Sequence, residues 1–204
     1  MVKLRLSLAA ALLAALALAA PARADAVSEG TQVVRALGDT VIAILANKGL
    51  PKAQREERFR QIYRLNFDHA VIAAAVMGPT WKSTAPQVQQ EYLDVFEVYI
   101  SKVYAAQLST YTGEKLDVTK GEAEGNGATI ESRIVDPKSG RTVDIKWRLR
   151  PTGGQMKVRD VLIENISMAQ TQRREFASVL QQRGGKAEGL IAAIREKIAD
   201  LDKR

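Results

Sequence analysis

The chain has 204 residues, which is the size of one domain of ordinary length preceded by a short leader. It contains no cysteine, and this excludes disulfides, thiol nucleophiles and zinc–thiolate sites. Its formal net charge of +7 at pH 7 is a weak argument for nucleic acid as a partner.

Residues 1–24 have the pattern of a secretory signal peptide. Lys3 and Arg5 precede a run over residues 6–20 that consists of Leu and Ala apart from Ser7, and Ala22-Arg23-Ala24 is a small-x-small cleavage site. We predict cleavage after Ala24 and one exported domain over residues 25–204. Without the three basic residues of the leader, the net charge falls to +4. No later segment has the roughly 20 apolar residues that a membrane span needs.

The first half of the predicted domain has helical periodicity. Helices are predicted over about 26–48, 52–65 and 68–77, the last with Asp68 as its N-cap and with Gly78-Pro79 ending it. Thr84-Ala-Pro-Gln87 resembles a capping box and opens a long helix to about Tyr111, whose apolar face is wide.

From Lys115 the apolar period changes to two, which is typical of strands. The strands around Leu116, Ile130 and Ile145 alternate apolar with polar residues, and residues 136–140 form a hairpin turn. The segment Asp160–Ile166 is apolar on both faces, with Val161 and Ile163 on one and Leu162 and Ile166 on the other, so both faces should be covered. Two helices end the chain. We predict an α+β fold with a four-stranded antiparallel sheet.

Motifs for chemistry are scarce in this sequence. The only histidine, His69, is not a metal site by itself and favours a structural role, and no G-x-S-x-G frames a serine. A buried Asp160 or Glu164 could be a general base with a raised pKa, but pairing with an arginine or capping of the next helix is the simpler interpretation. We therefore expect no enzyme activity, no metal and no cofactor.

Basic residues alternate along the last two strands. Lys146, Arg148 and Arg150 should lie beside Lys157 and Arg159 on the solvent-facing side of the sheet. Such a stripe could bind an acidic partner or anionic head groups, although an ordinary solvated face is the more common reason for it. No aromatic residues interleave with it, so single-stranded nucleic acid is not expected as a ligand.

The order of several motifs resembles the MlaC family, also known as toluene-tolerance Ttg2D proteins. The most specific stretch is similar to the family pattern W-K-V-Y-D-V-x-I-E-G-V-S followed by R-x-x-F, from which this chain departs at Met156, Arg159 and Asn165. The matching motifs are Phe59-x-x-Ile62, Phe67-Asp68, Met77-Gly78-x-x-Trp81, Gln90-x-Tyr92-x-x-x-Phe96, Tyr104, Tyr111-x-Gly113-Glu114, Trp147-x-Leu149, Lys157-Val158-x-Asp160, Glu164-Asn165-Ile166-Ser167 and Arg173-x-x-Phe176.

The resemblance implies an NTF2-like cone, in which helices on a twisted sheet enclose an apolar cavity. It also implies a monomeric periplasmic carrier of phospholipid, working between an outer-membrane lipoprotein complex and an inner-membrane ABC transporter to maintain outer-membrane lipid asymmetry. A related branch accompanies hopanoid biosynthesis, so a hopanoid or another apolar lipid stays open as cargo. Two other hypotheses also stay open: a small enzyme with the same cone-shaped fold, and a non-lipid adaptor whose interior is filled by its own side chains.

We predict that the lipid-binding residues come from the sheet, from two helices and from the last strand. They are Val76, Met77, Phe96, Tyr99, Ile100, Tyr104, Ile130, Ile134, Val143, Ile145, Trp147, Val158 and Ile166.

Overall fold

The computed structural model describes residues 19–203. Within this range, six α-helices of eight residues or more, one short helix and five strands follow one another in the predicted order of helices, sheet and helices. The helices are α1 (Ala19–Ala46), α2 (Lys52–Asn66), α3 (His69–Met77), α4 (Thr80–Ser83), α5 (Pro86–Gln107), α6 (Met168–Gln182) and α7 (Ala187–Asp202), and the strands are β1 (Lys115–Glu124), β2 (Gly127–Val135), β3 (Thr142–Thr152), β4 (Gln155–Ile163) and β5 (Ile166–Ser167).

The α+β class predicted from the sequence is confirmed. The sheet is an antiparallel meander in the order β1-β2-β3-β4-β5, with five strands rather than the predicted four. Of the predicted leader, residues 1–18 lie outside the described residues, and α1 begins at Ala19. Cleavage after Ala24 stays a prediction.

Two helix caps differ from the sequence prediction. Asp68 precedes α3, but its side chain makes no cap hydrogen bond and instead accepts hydrogen bonds from Thr152 and Arg159. The capping box at Thr84 is absent, because the Thr84 hydroxyl donates to the Thr80 carbonyl while Ala85 occupies the cap position. Pro86 does lie in the first turn of α5, where its missing N–H costs nothing. The long helix ends at Gln107, and a 3₁₀ turn (Leu108–Thr110) continues it.

The segment that contains Asp160–Ile166 is not one strand. Ile163 and Ile166 are directly opposite one another across a two-residue turn, and both turn residues, Glu164 and Asn165, have positive φ (50° and 63°). Two-residue hairpins of this kind require left-handed backbone at both central positions, and asparagine tolerates it. Ile166 therefore lies on the face of Ile163 rather than on that of Leu162, and it is 55% exposed.

Strand β4 carries a second irregularity, a β-bulge. Arg148 of β3 is opposite Asp160, but the next residue, Leu149, is opposite Val158, so that Arg159 has no partner in the register. A bulge bends its strand and re-aims the side chain of the extra residue. On the inner face, Val158 before the bulge is followed by Val161 and Ile163 after it.

The apolar interior consists of two clusters. A helical cluster joins α3, α5, α6 and α7 around Phe96 and Leu190, and a sheet cluster packs α1 and α2 on the strands around Val34 and Ile130. Helix α1 lies close to the sheet at Gly38, where an added Cβ would come within 2.4 Å of the Leu116 side chain. Because the two clusters are separate, their facing side chains bound the space between them.

Candidate functional site: an apolar cavity between two core clusters

A cavity of about 440 Å³ lies where the two clusters face each other. Tyr63, Phe96 and Ile100 of the helical cluster and Leu37 and Phe59 of the sheet cluster all contribute to its wall. The volume is within the range of about 300–1,000 Å³ that is usual for small-molecule pockets. Most of the lining side chains are apolar, so the cavity suits an apolar ligand rather than a charged metabolite.

The inner face of the sheet supplies one wall of the cavity. Ile134 of β2, Ile145 and Trp147 of β3, and Val161 and Ile163 of β4 line it. Trp147 is opposite Val161 in the ladder, and Ile145 is opposite Ile163, so these side chains form adjacent rows. The sequence predicts that both faces of the Asp160–Ile166 segment are covered, and the structure shows what lies on each face. The Val161 and Ile163 face of β4 lines a cavity, while Leu162 on the other face is buried.

Seven of the thirteen residues predicted to bind lipid lie in the cavity wall. They come from α3, α5 and the sheet, and whether they contact lipid stays a prediction. They are Val76, Phe96, Ile100, Tyr104, Ile134, Ile145 and Trp147.

The other six predicted residues lie elsewhere. Met77 and Tyr99 pack within the helical cluster, and Ile130 and Val158 pack within the sheet cluster. Helix α1 packs directly on Ile130, because Gly30 allows the helix to approach the Ile130 side chain. Val143 and Ile166 are on the inner face of the sheet but lie beyond the cavity, at 36% and 55% exposure.

Sequence reasoning missed the contribution of three helices. Leu37, Val41 and Leu45 of α1, Phe59 and Ile62 of α2, and Met168, Ala169 and Gln172 of α6 also line the cavity. The apolar stripe of α1 was visible at helical spacing, but a stripe indicates only that a face is buried and not what buries it. Their assignment to the cavity required the helix positions.

Polar groups are present in the wall, and most are held by neighbouring atoms. The Trp147 indole N–H donates to the Ser132 hydroxyl at 2.8 Å, so the ring presents carbon to the cavity. Glu114 accepts hydrogen bonds from the backbone N–H groups of Thr112 and Gly113, which lower the pKa of its carboxyl. Burial raises the pKa of the Tyr104 phenol, which therefore stays neutral at physiological pH.

The two carboxylates considered as general bases are engaged in holding the fold. Asp160 lines the cavity, but its oxygens accept hydrogen bonds from the Ser167 hydroxyl (2.7 Å) and from the Ala169 N–H (3.2 Å) at the start of α6. On the outer face of the sheet, Arg148 Nη1 lies 3.7 Å from Asp160 Oδ2. Glu164 is exposed and accepts a hydrogen bond from the Asp144 N–H, which ties the β4–β5 turn to β3.

His69 belongs to an aromatic cluster. Its ring meets Tyr63 edge-on at 5.4 Å and stacks over Phe96 at 6.3 Å. Burial lowers the pKa of the imidazole, so the ring is neutral at physiological pH. Among the described residues no group of three or more potential ligands for a metal ion is present.

The basic stripe on the outer face is largely neutralised by carboxylates. Lys146 is paired with Glu131 (3.2 Å), Arg150 with Glu124 (3.2 Å) and Arg148 with Asp160, while Lys157 donates to the Leu65 carbonyl. Arg159 does not join the stripe, because the bulge directs it to Asp68. These pairs weaken the interpretation of the stripe as a free docking surface for an acidic partner.

The fold and the cavity together define a class of protein: an α+β fold in which helices on an antiparallel sheet surround an apolar cavity. Sequence comparison assigns the family. The model of the MlaC protein family matches residues 35–196, and the chain belongs to this family.

Individual relatives are distant. The "Intermembrane phospholipid transport system binding protein MlaC" of Haemophilus influenzae is 23% identical over 124 residues, 59% of this chain and 57% of that protein. The "Toluene tolerance protein ttg2D" of Pseudomonas putida is 26% identical over 111 residues, 54% of this chain and 51% of that protein. The chain thus matches little more than half the length of these curated relatives.

A solved structure is similar in fold to this protein. The phospholipid-binding protein of Ralstonia solanacearum, determined in complex with a phospholipid, superposes with a TM-score of 0.70 at 22% identity. The match covers 84% of this chain and 97% of that one. Within the described part of this chain, no helix combines the length and the apolar character needed to cross a membrane.

Proposed function

We propose that this protein is a lipid carrier that holds acyl chains in the cavity between its two core clusters. The observation that carries the proposal is the cavity itself, about 440 Å³ and lined mainly by apolar side chains. Membership of the MlaC family and the names of the relatives support phospholipid as the ligand class, since those names describe phospholipid transport and phospholipid binding.

The energetics of lipid transfer fit such a cavity. A lipid with two acyl chains holds about 30 methylenes, and their transfer from water at ~0.8 kcal/mol each is worth over 20 kcal/mol. That exceeds the practical ceiling on non-covalent affinity, but a bilayer offers the same gain. A carrier therefore needs only an apolar environment comparable with the membrane. Exchange is then nearly balanced in free energy, and the place of docking decides where it occurs.

The cellular setting belongs to the same proposal. The signal-peptide pattern of residues 1–24 and the resemblance to MlaC support a periplasmic monomer. It would move lipid between an outer-membrane lipoprotein complex and an inner-membrane ABC transporter, and so maintain the lipid asymmetry of the outer membrane. The name of the Haemophilus influenzae relative, which describes intermembrane transport, supports this setting.

The proposed role is non-catalytic. Asp160 is engaged with the start of α6 and Glu164 with β3, which supports structural roles for both carboxylates. We expect Asp160→Asn combined with Glu164→Gln to leave the amount of bound lipid unchanged, as measured by extraction of folded protein. Loss of lipid turnover with retained folding, or accumulation of an unmodified substrate in this variant, would favour an enzyme.

The proposal is tested on protein purified from its own periplasm. Native mass spectrometry and organic extraction of the same sample should give stoichiometric lipid, and the extract would distinguish a phospholipid from a hopanoid. Gentle preparations without detergent are needed, because detergent competes for an apolar cavity. Repeated recovery of protein free of lipid would contradict the carrier and favour an adaptor.

A further inference from the structure

Arg159 is the one arginine in the wall of the cavity, among the residues that the structure describes. It is also the extra residue of the β4 bulge, so its direction is set by a local irregularity and not by strand alternation. A guanidinium in an apolar wall is costly unless it has partners.

Asp68 and Thr152 fix the guanidinium from one side. Arg159 Nε donates to Asp68 Oδ2 at 2.9 Å, and Nη2 donates to the Thr152 hydroxyl at 3.2 Å. Asp68 is only 6% exposed and also accepts from the Thr152 hydroxyl at 2.7 Å, so the three groups form a closed triangle. A guanidinium carries five N–H donors, and these contacts use two of them.

The remaining donors have no protein acceptor within the described residues, while the Arg159 side chain is 38% exposed. The other carboxylate nearby, Asp160, is already opposed by Arg148 and by hydrogen bonds at the start of α6. A fixed guanidinium with spare donors, at the wall of an apolar cavity, is suited to an anionic oxygen carried by an apolar molecule.

We propose that Arg159 determines cargo specificity by donating hydrogen bonds to the phosphate of a bound lipid. This inference rests on the proposed lipid-carrier function. Asp68 and Thr152 act as positioning residues, because they hold the guanidinium fork and are not part of the cavity wall. Charge-assisted hydrogen bonds in a largely apolar cavity favour an anionic lipid over a neutral lipid with the same tails.

The test compares two lipids that differ only in phosphate. Delipidated full-length mature protein is loaded with the neutral probe 1-N-phenylnaphthylamine, which is then displaced by dipalmitoyl phosphatidic acid or by dipalmitoylglycerol, each delivered as the same cyclodextrin complex without detergent. We expect the wild type to prefer phosphatidic acid roughly tenfold, which corresponds to about 1.4 kcal/mol. Arg159→Gln should remove the preference by weakening phosphatidic acid alone.

The matched control is Arg150→Gln. Arg150 lies on the neighbouring strand, pairs with Glu124 and is not part of the cavity wall, so this variant has the same change of charge and should keep the preference. Arg159→Lys provides a second variant if Arg159→Gln does not fold. It keeps the charge but loses the fork, and its preference should fall below that of the wild type.

Each outcome has a distinct meaning. An unchanged preference in Arg159→Gln, or in folded Arg159→Lys, would overturn the assignment, and so would a wild type that binds both lipids equally. Excess inorganic phosphate should leave the preference unchanged, and its loss would overturn the assignment to a lipid headgroup. If neither lipid displaces the probe from the wild type, the carrier function itself fails.

Discussion

Replacement of Val161 by tryptophan is expected to remove most of the bound lipid while the domain stays folded. Val161 is partly buried, lines the cavity from β4 and is opposite Trp147 in the ladder. An added indole has open space to enter, so it should occupy volume rather than displace packed neighbours. If it excludes about four methylenes of an acyl chain, the loss is about 3 kcal/mol, roughly a hundredfold in retention. Lipid per protein after extraction measures the effect.

Val143→Trp is the matched control for this prediction. Val143 has the same size, lies on the inner face of the neighbouring strand, and is exposed beyond the cavity. The control variant should retain lipid at the wild-type ratio, and the melting temperatures of both variants should stay close to that of the wild type. Wild-type lipid content in folded Val161→Trp would show that the cavity is not where the acyl chains lie.

Among the variants considered, replacement of Glu97 by alanine is expected to cause the largest loss in the free energy of unfolding. Glu97 of α5 is buried and accepts hydrogen bonds from Arg60 and from Arg64 (2.8 Å), both on α2. Without it, two cations would face each other without a counter-charge. Breaking a buried pair costs 3–5 kcal/mol, but both arginines reach solvent, so we expect about 2–3 kcal/mol, or roughly 4–12 °C in melting temperature. Thermal unfolding followed by circular dichroism measures the loss.

The same cluster predicts a dependence on pH. Burial alone would raise the pKa of Glu97, but the hydrogen bonds and charges of Arg64 and Arg60 outweigh it and hold the pKa below its ordinary value. A carboxyl group whose pKa is lower in the folded state than in the unfolded state stabilises the protein at pH values above its unfolded-state pKa, about 4.3. This stabilisation is lost as the pH falls through the folded-state pKa. The gap in stability between wild type and Glu97→Ala should therefore narrow below about pH 4.

Glu91→Ala serves as the control for both measurements. Glu91 is on the same helix and pairs with Arg195 at 2.8 Å, but both side chains are largely exposed. Exposed pairs contribute little to stability, so this variant should unfold close to the wild type at every pH. A gap for Glu97→Ala that stays constant from pH 7 to pH 3 would contradict the role of its charge.

The fold could be predicted largely because its elements follow from local rules. Helical spacing, the stop at Gly78-Pro79, and the change of period at Lys115 place most boundaries within a few residues. The helix caps are among the exceptions. The Asp68 side chain was expected to cap α3, but Thr152 and Arg159, more than 80 residues away, compete for it successfully. A local propensity is a weak prior when a distant partner satisfies the same group.

The residues that line the cavity could be predicted only in part, again because contacts between distant residues decide them. Periodicity marks Ile130 and Ile145 alike as inward-facing, yet α1 packs against the first and the cavity adjoins the second. Alternation also placed Arg159 on the outer face with Lys157, whereas the bulge redirects it to the cavity wall. Neither the approach of a helix nor the position of a bulge is encoded in a period of two.

The sequence by itself determined the α+β class, the order of helices and strands, and the surplus of apolar side chains facing inward, because these depend on spacing along the chain. Only the tertiary structure decided that this surplus is divided between two clusters with about 440 Å³ between them. Whether a buried face meets another side chain or open space depends on the distance between elements, and that distance is set by contacts between residues far apart in the chain.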